Sequence, residues 1–194
     1  LISPPSIEQR RLLGVIIALT LLFTIWKPEA FATVSNLQNI SRQGAVLAIV
    51  SLGQMFPLLV GGFDISVGAI MGLASTVGVM ATIEYGIVPG VLAGLLAATV
   101  MGTGNGVLVA RLRLSPFIVT LGTMTFMRGL SLQLTRGTSI IGLPSSFAYL
   151  GASDWGPIPA TLGIALIVYG LGAILLKTTR AGLYFYAIGG NEIA

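Results

Sequence analysis

The chain of 194 residues contains no cysteine and no histidine. That excludes disulfides, thiolate nucleophiles, the usual zinc ligand sets and histidine acid–base catalysis. No metal site and no cofactor are expected. Lysine is almost absent as well, with only Lys27 and Lys177. Neither follows a glycine, so there is no Gly-Lys-Ser/Thr phosphate loop. If the protein works with ATP, another chain binds it. The largest deficit is in charge: 8% of residues are charged and 55% are hydrophobic, where a soluble domain carries about 25% charged residues. So few charges cannot cover a soluble surface, and most of this surface faces lipid. The net charge is +4, but the basic residues stand in pairs between apolar runs. That is the pattern of membrane topology, not of a nucleic-acid partner.

What is present is a series of uncharged runs: Leu12–Trp26, Gln43–Phe63, Ile65–Ile83, Tyr85–Ala110, Leu114–Met127 and Trp155–Leu176, the fifth continuing past Arg128 to Thr135. A helix crossing a bilayer needs about 20 apolar residues. The runs predict an all-α polytopic membrane protein, a single transmembrane domain over 1–194. Six spans are expected near 12–26, 44–62, 65–83, 87–110, 115–135 and 158–176, with a polar tail over 177–194. The first run has the basic start of a signal peptide, but no small-residue cleavage site follows Trp26-Lys27-Pro28, so it reads as an anchor. With the N-terminus inside, Arg10 and Arg11, Arg111 and Arg113, and Lys177 and Arg180 all fall on the cytoplasmic side, as the positive-inside rule prefers. The stretch Lys27–Gln43 is too polar to cross and reads as an outer loop carrying a short interfacial helix. The loop Arg136–Pro159 either covers an outer vestibule or simply connects. Tyr149 and Trp155 suit an aromatic belt.

One stretch stands out: Gly61-Gly62-Phe63-Asp64-Ile65-Ser66-Val67-Gly68. It sets a carboxylate between two membrane-length runs, where a charge is costly and functional by default. The glycines Gly61, Gly62 and Gly68 argue against an ordinary helix interior, so a broken helix with a polar cap is expected. Asp64 has two compatible readings: a cap on the amides of Ser66 or Val67, and a group lining a transport path. Pro57 should kink the second span, and Gln54 either serves the freed backbone or faces the path. Arg128 lies about 18 Å into its span at 1.5 Å per residue. Either it finds a partner such as Asp64, or it marks the outer end of a short span. Thr120, Thr123 and Thr125 can bond carbonyls of their own helix. The spacing of Gly68 and Gly72, Gly90 and Gly94, and Gly102 and Gly106 suits close helix packing. The cluster Gly102-Thr103-Gly104-Asn105-Gly106 lacks the offsets of a nucleotide loop and has no preceding strand.

The eight-residue motif resembles the Gly-Gly-Ile-Asp-Leu-Ser-Val-Gly stretch of the permease subunit of bacterial ABC importers for ribose, xylose and related monosaccharides. Further stretches match that family in order: Asn36-Leu37 through Gln43-Gly44-Ala45-Val46-Leu47, Gly53-Gln54, Asn105-Gly106 leading to Arg111-Leu112-Arg113, Pro116 to Thr123, Arg128-Gly129, and Tyr186-Ala187-Ile188-Gly189-Gly190-Asn191. Departures are Pro57, Ala181, Leu183 and Ile193. The resemblance implies a subunit of the cytoplasmic (inner) membrane without enzymatic activity of its own, acting by alternating access. Its expected partners are a second permease chain, a separate ABC ATPase subunit and a periplasmic sugar-binding protein. It implies ATPase coupling at Gly189, Gly190, Asn191 and Glu192, and a chain that is the N-terminal portion of a longer protein. An uncharged sugar implies a path that offers hydroxyl and amide partners such as Gln54, Asn105 and Thr120, with Asp64 and Ser66 shaping the broken helix beside it and Arg128 as a further pathway candidate. Two alternatives remain: a branched-chain amino acid ABC permease, in which Asp64 and Arg128 would meet a zwitterion, and an ion-coupled secondary transporter. An intramembrane enzyme is disfavoured by the lack of histidine, cysteine and paired carboxylates.

Overall fold

The computed structural model describes residues 6–156 and 158–190. Nine α-helices follow one another among these residues: α1 (Ile7–Trp26), α2 (Pro28–Phe31), α3 (Val34–Leu59), α4 (Val67–Tyr85), α5 (Ile87–Ala110), α6 (Pro116–Thr135), α7 (Tyr149–Ala152), α8 (Ala160–Thr178) and α9 (Arg180–Gly190). Six of them, α1, α3, α4, α5, α6 and α8, are long and apolar enough to cross a membrane. The all-α polytopic architecture expected from the uncharged runs is the one observed.

Local chemistry sets the helix starts. A capping box opens α1, where Gln9 N–H donates to Ser6 Oγ at 3.3 Å and Ser6 N–H donates to Gln9 Oε1 at 2.8 Å. Thr33 caps α3 through the Asn36 amide at 3.1 Å. Proline opens α6 at Pro116, where a missing N–H costs nothing. The start of α3 departs from expectation. A short helix does occupy Pro28–Phe31, but most of the expected outer loop 27–43 belongs to α3, which begins at Val34. Its 26 residues span about 39 Å at 1.5 Å per residue, more than the hydrocarbon core. Between Val34 and Gln43 there is no glycine or proline; the polar side chains there bear on membrane depth, not on whether the backbone is helical.

Two packed groups form. Helices α4, α5 and α6 make one, and α3, α8 and α9 the other. The first centres on Ala69, Leu73 and the fully buried Met127, with Ile70, Val77, Met101, Met124 and Leu130 around them. Its tightest crossing joins α4 to α5. A Cβ on Gly90 would overlap Thr82 Oγ1, and one on Gly94 would lie 2.8 Å from the Ala74 carbonyl oxygen. The other glycine pairs have no such role inside the chain, since Gly68, Gly72, Gly102 and Gly106 all have open space where a Cβ would stand. In the second group Leu52 of α3 fills the space over Gly172 of α8. A two-residue antiparallel pair, Asp154–Trp155 with Ile158–Pro159, leads into α8. It is tied to α3 by Arg42, whose guanidinium reaches both carboxylate oxygens of Asp154 at 2.7 and 2.6 Å. Helix α1 stands apart, with no buried residue, and meets α2 through Phe23 and Phe31.

Candidate functional site

The motif lies in the non-helical link between α3 and α4. Helix α3 ends in a Schellman turn: Gly62 N–H donates to the Pro57 carbonyl at 2.8 Å, and Gly61 N–H to that of Leu58 at 3.1 Å. Gly61 has φ +76°, the left-handed conformation that favours glycine at this position. Gly62 and Gly68 are under no such demand; their φ values are ordinary and neither would clash on gaining a Cβ. Pro57 is inside α3, two residues before its end, and its carbonyl serves the turn.

Asp64 then folds back on the chain. Its Oδ1 accepts from Ser66 N–H at 2.7 Å and from Ser66 Oγ–H at 2.6 Å. Ser66 directly precedes α4, so the carboxylate sits at the positive end of that helix. Three helices hold the link in place. From α3, Gln54 Nε2–H donates to the Asp64 carbonyl at 2.8 Å. From α5, Asn105 Nδ2–H donates to Ser66 Oγ at 2.9 Å. From α6, Thr120 Oγ1 accepts from Ile65 N–H at 3.4 Å and donates to the Phe117 carbonyl at 3.3 Å. Ser66 is wholly buried, Thr120 is 3% exposed and Asn105 5%. The relay therefore runs from Asn105 through Ser66 to Asp64, each hydroxyl or amide proton pointing toward the charge, which strengthens the bonds it ends on. Two acceptors are left over: Gln54 Oε1 and Asn105 Oδ1 are buried without a hydrogen-bond partner.

The link separates two cavities. One of ≈ 610 Å³ is lined by Ser51, Gln54, Phe63, Asp64 and Gly68. The other, of ≈ 630 Å³, is lined by Gly62, Asp64, Asn105, Arg113, Thr120 and Phe185. Asp64 belongs to both walls. The five polar residues Gln54, Asp64, Ser66, Asn105 and Thr120, drawn from α3, α5, α6 and the link between α3 and α4, thus meet at one place.

Arg128 does not join them. Thr120, which meets the link, lies eight residues earlier on α6, about 12 Å along the axis at 1.5 Å per residue. Arg128 is exposed, and among the described residues the ion pair is Arg42 with Asp154 at 2.6 Å. Thr123 and Thr125 spend their hydroxyls on carbonyls of α6, at 2.8 Å to Val119 and 3.1 Å to Leu121. Gly189 packs directly on the last carbonyl of α3, that of Leu59, with no room for a Cβ. Gly190 is open around its Cα, and Asn191 and Glu192 lie outside the described residues. Sequence reasoning missed Arg113 and the ring pair of Phe56 with Phe185, whose centroids are 5.2 Å apart. No local pattern joins two residues so distant in the chain. The basic pair Arg111 and Arg113 is the one available signal, and in sequence it speaks only to topology.

Residues 36–194 match the family model described as "Branched-chain amino acid transport system / permease component". The chain belongs to that permease family. Among curated relatives of this permease, the ribose import permease protein of Haemophilus influenzae is 37% identical over 97% of this chain and 59% of its own length. The D-allose transport system permease protein of Escherichia coli is 34% identical over 93% and 55%, and the ribose import permease protein of Bacillus subtilis 36% identical over 94% and 57%. The chain spans less than two thirds of the length of these relatives. No solved structure matches it. Family membership and six apolar helices together make this permease a multi-pass membrane protein.

Proposed function

We propose that the chain is the membrane-spanning part of an ATP-driven importer that moves an uncharged monosaccharide across the bacterial inner membrane by alternating access. The observation that carries this reading is the chemistry around the motif. The polar groups gathered there are amides and hydroxyls, from Gln54, Ser66, Asn105 and Thr120, and the Asp64 carboxylate among them has one oxygen already engaged by Ser66. Such groups suit a polyhydroxy solute, which exchanges hydrogen bonds with water for hydrogen bonds with amides and hydroxyls at little net cost. A zwitterionic amino acid needs a cation and an anion facing one another. Arg128, the cation that such a path would set opposite Asp64, lies elsewhere, and Arg113, which lines the same cavity as Asp64, forms no ion pair with it among the described residues. The relatives named for ribose and allose support the same class. The scarcity of intramembrane acids weakens ion coupling, because proton or sodium coupling needs ionisable or charged groups along the path.

The pathway residues are Gln54, Asp64, Ser66, Asn105 and Thr120, with Asp64 and Ser66 holding the partition between the two cavities in shape. Arg128 stands apart from this group, on the exposed face of α6. The N-terminus is cytoplasmic, which puts Arg10 and Arg11, Arg111 and Arg113, and Lys177 and Arg180 on that side. ATP is bound by a separate ATPase subunit, met at Gly189, Gly190, Asn191 and Glu192. A periplasmic binding protein delivers the sugar, and a second permease chain completes the path. The test is uptake of radiolabelled ribose, allose and arabinose by cells carrying the full assembly, together with a pull-down of the tagged permease and an ATP hydrolysis assay on the eluate. Uptake of one sugar with co-purified, sugar-stimulated hydrolysis supports the reading. A well-folded eluate without hydrolysis, or uptake of leucine and no sugar, overturns it.

A further inference from the structure

We propose that the cavity bounded by Asn105, Arg113 and Phe185 is where the sugar is held, and that the cavity on the other side of the motif link is not. The proposal rests on the transport reading above and names the site at which the solute pauses. The two cavities are nearly equal, at ≈ 630 and ≈ 610 Å³, and both fall within the range of about 300–1,000 Å³ usual for small-molecule pockets. Volume does not choose between them; chemistry does. Each hydroxyl of a monosaccharide both donates and accepts hydrogen bonds, so its site needs donors and acceptors together. Its ring C–H groups carry a slight positive charge and suit the negative face of an aromatic ring.

The cavity at Arg113 supplies all three. Asn105, in its wall, is 5% exposed; it has committed Nδ2 to Ser66 and keeps Oδ1 buried without a partner. Native proteins satisfy nearly all such groups. Here the chain provides no donor, and a hydroxyl pressed against this wall does. Asp64 adds a second acceptor, since Ser66 engages only its Oδ1. The donor is Arg113, which makes no hydrogen bond or ion pair among the described residues. It stands at the turn between α5 and α6 with φ +52°, a left-handed conformation uncommon for any residue but glycine. Phe56 and Phe185 give the aromatic wall. The other cavity is mostly aliphatic. Ser51 donates its hydroxyl proton to the Leu47 carbonyl at 2.7 Å, and Gln54 commits Nε2 to the Asp64 carbonyl. The side-chain groups left there are Gln54 Oε1 and Asp64, acceptors both, and no cationic side chain joins them.

The two cavities carry matched reporters. Gly106 lines the proposed site and Gly68 the other cavity, and neither has anything within 4 Å of an added Cβ. Gly151 of α7 is equally open and lines neither. Each is changed singly to cysteine in otherwise cysteine-free full-length protein, which is placed in lipid nanodiscs. The rate of labelling by a polar maleimide is then read against rising ribose, allose or arabinose. One of these sugars should slow labelling of Gly106→Cys and leave Gly68→Cys and Gly151→Cys unchanged. Ribitol, which has hydroxyls but no ring, should protect less at equal concentration. Adding Phe185→Ala should raise the half-protecting concentration about tenfold, as expected for the loss of an aromatic contact, and Arg113→Gln should do at least as much. If Phe185→Ala fails to accumulate, Phe185→Leu takes its place, and the comparison of the three reporters needs no second substitution. Protection at Gly68→Cys alone, or equally at both cavities, overturns the assignment, as does equal protection by ribitol. Arg113 and Asp64 would also pair the two charges of an amino acid, so protection by leucine and by no sugar overturns it too. Uptake by the full assembly is measured separately. Sugar uptake with Gly106→Cys unprotected removes this site and leaves the transport reading standing; protection without uptake removes the transport reading and leaves the site.

Discussion

At Ser66 the motif meets a distant helix: its amide and hydroxyl both bond Asp64, and its hydroxyl oxygen receives the amide of Asn105. Because Ser66 is wholly buried and Asn105 nearly so, removing any one partner leaves a polar group without water to replace it. Asn105→Leu should therefore cost about 1–3 kcal/mol of stability, the usual penalty for orphaning a buried polar group. Thermal unfolding of the detergent-solubilised protein measures it. Asn105→Asp should be worse, since it sets a second carboxylate on the same serine hydroxyl, where like charges repel. Asp64→Asn keeps the side-chain shape and loses the charge, so its bonds to Ser66 become ordinary ones, about half as strong. A clear fall in uptake with the melting temperature lowered by only a few degrees would match a pathway role for Asp64. Unchanged uptake would reduce it to a helix cap. The importance of Asp64 and Ser66 was legible from their place in a glycine-flanked motif. The pairing of Ser66 with Asn105 was not, because they stand 39 positions apart in sequence, with α4 and most of α5 between them.

At the scale of elements, the lengths of the uncharged runs gave the six long helices, but glycine spacing overpredicted contacts. Three pairs at i, i+4 look alike in sequence, and only Gly90 with Gly94 lies at a crossing within the chain, against Ala74, Gly78 and Thr82. The difference is geometric: a small residue matters only where another backbone approaches it, and the approach is a property of two helices. Gly90→Ala should destabilise the α4–α5 pair by about 1–3 kcal/mol through overpacking. Gly102→Ala should be neutral or slightly stabilising, because alanine is the better helix former by about 1 kcal/mol and nothing stands in its way. Unfolding midpoints of the two variants under identical conditions decide the matter, and equal losses would contradict the crossing. The early start of α3 has a similar cause. Polarity marks where a chain leaves hydrocarbon, whereas the backbone stays helical until a glycine, proline or cap interrupts it.

For the whole molecule, two packed groups are joined by the motif link, by Gln54 reaching across to the Asp64 carbonyl, and by packing at the end of α3. On the far side from the motif, Arg42 and Asp154 tie α3 to the turn that leads into α8. Both side chains are a little over a quarter exposed, so this pair, made by one guanidinium nitrogen to both carboxylate oxygens, is worth about 0.5–1 kcal/mol at most, and less in salt. Arg42→Ala should lower the melting temperature slightly at low ionic strength, and the gap from the parent should close in concentrated salt. A gap that persists in salt would mean that Arg42 contributes through packing of its alkyl stem. The exposed apolar faces of α1, α4, α5 and α6 are what a lipid-embedded surface presents, since soluble proteins rarely leave so many large aliphatic side chains together in water.

Sequence alone determined that this is an α-helical membrane protein, how many long helices the described residues form, and which short motif carries its costliest charge. Those properties follow from composition and from the length of uncharged runs, which bind any fold the chain adopts. Only the tertiary structure decided which polar residues share a site. It brought Gln54, Asp64, Ser66, Asn105 and Thr120 together, left Arg128 apart, and set Phe185 and Gly189 against the end of α3. Such groupings depend on how helices cross and turn in space, and a linear pattern records the faces of helices but not the partners those faces meet.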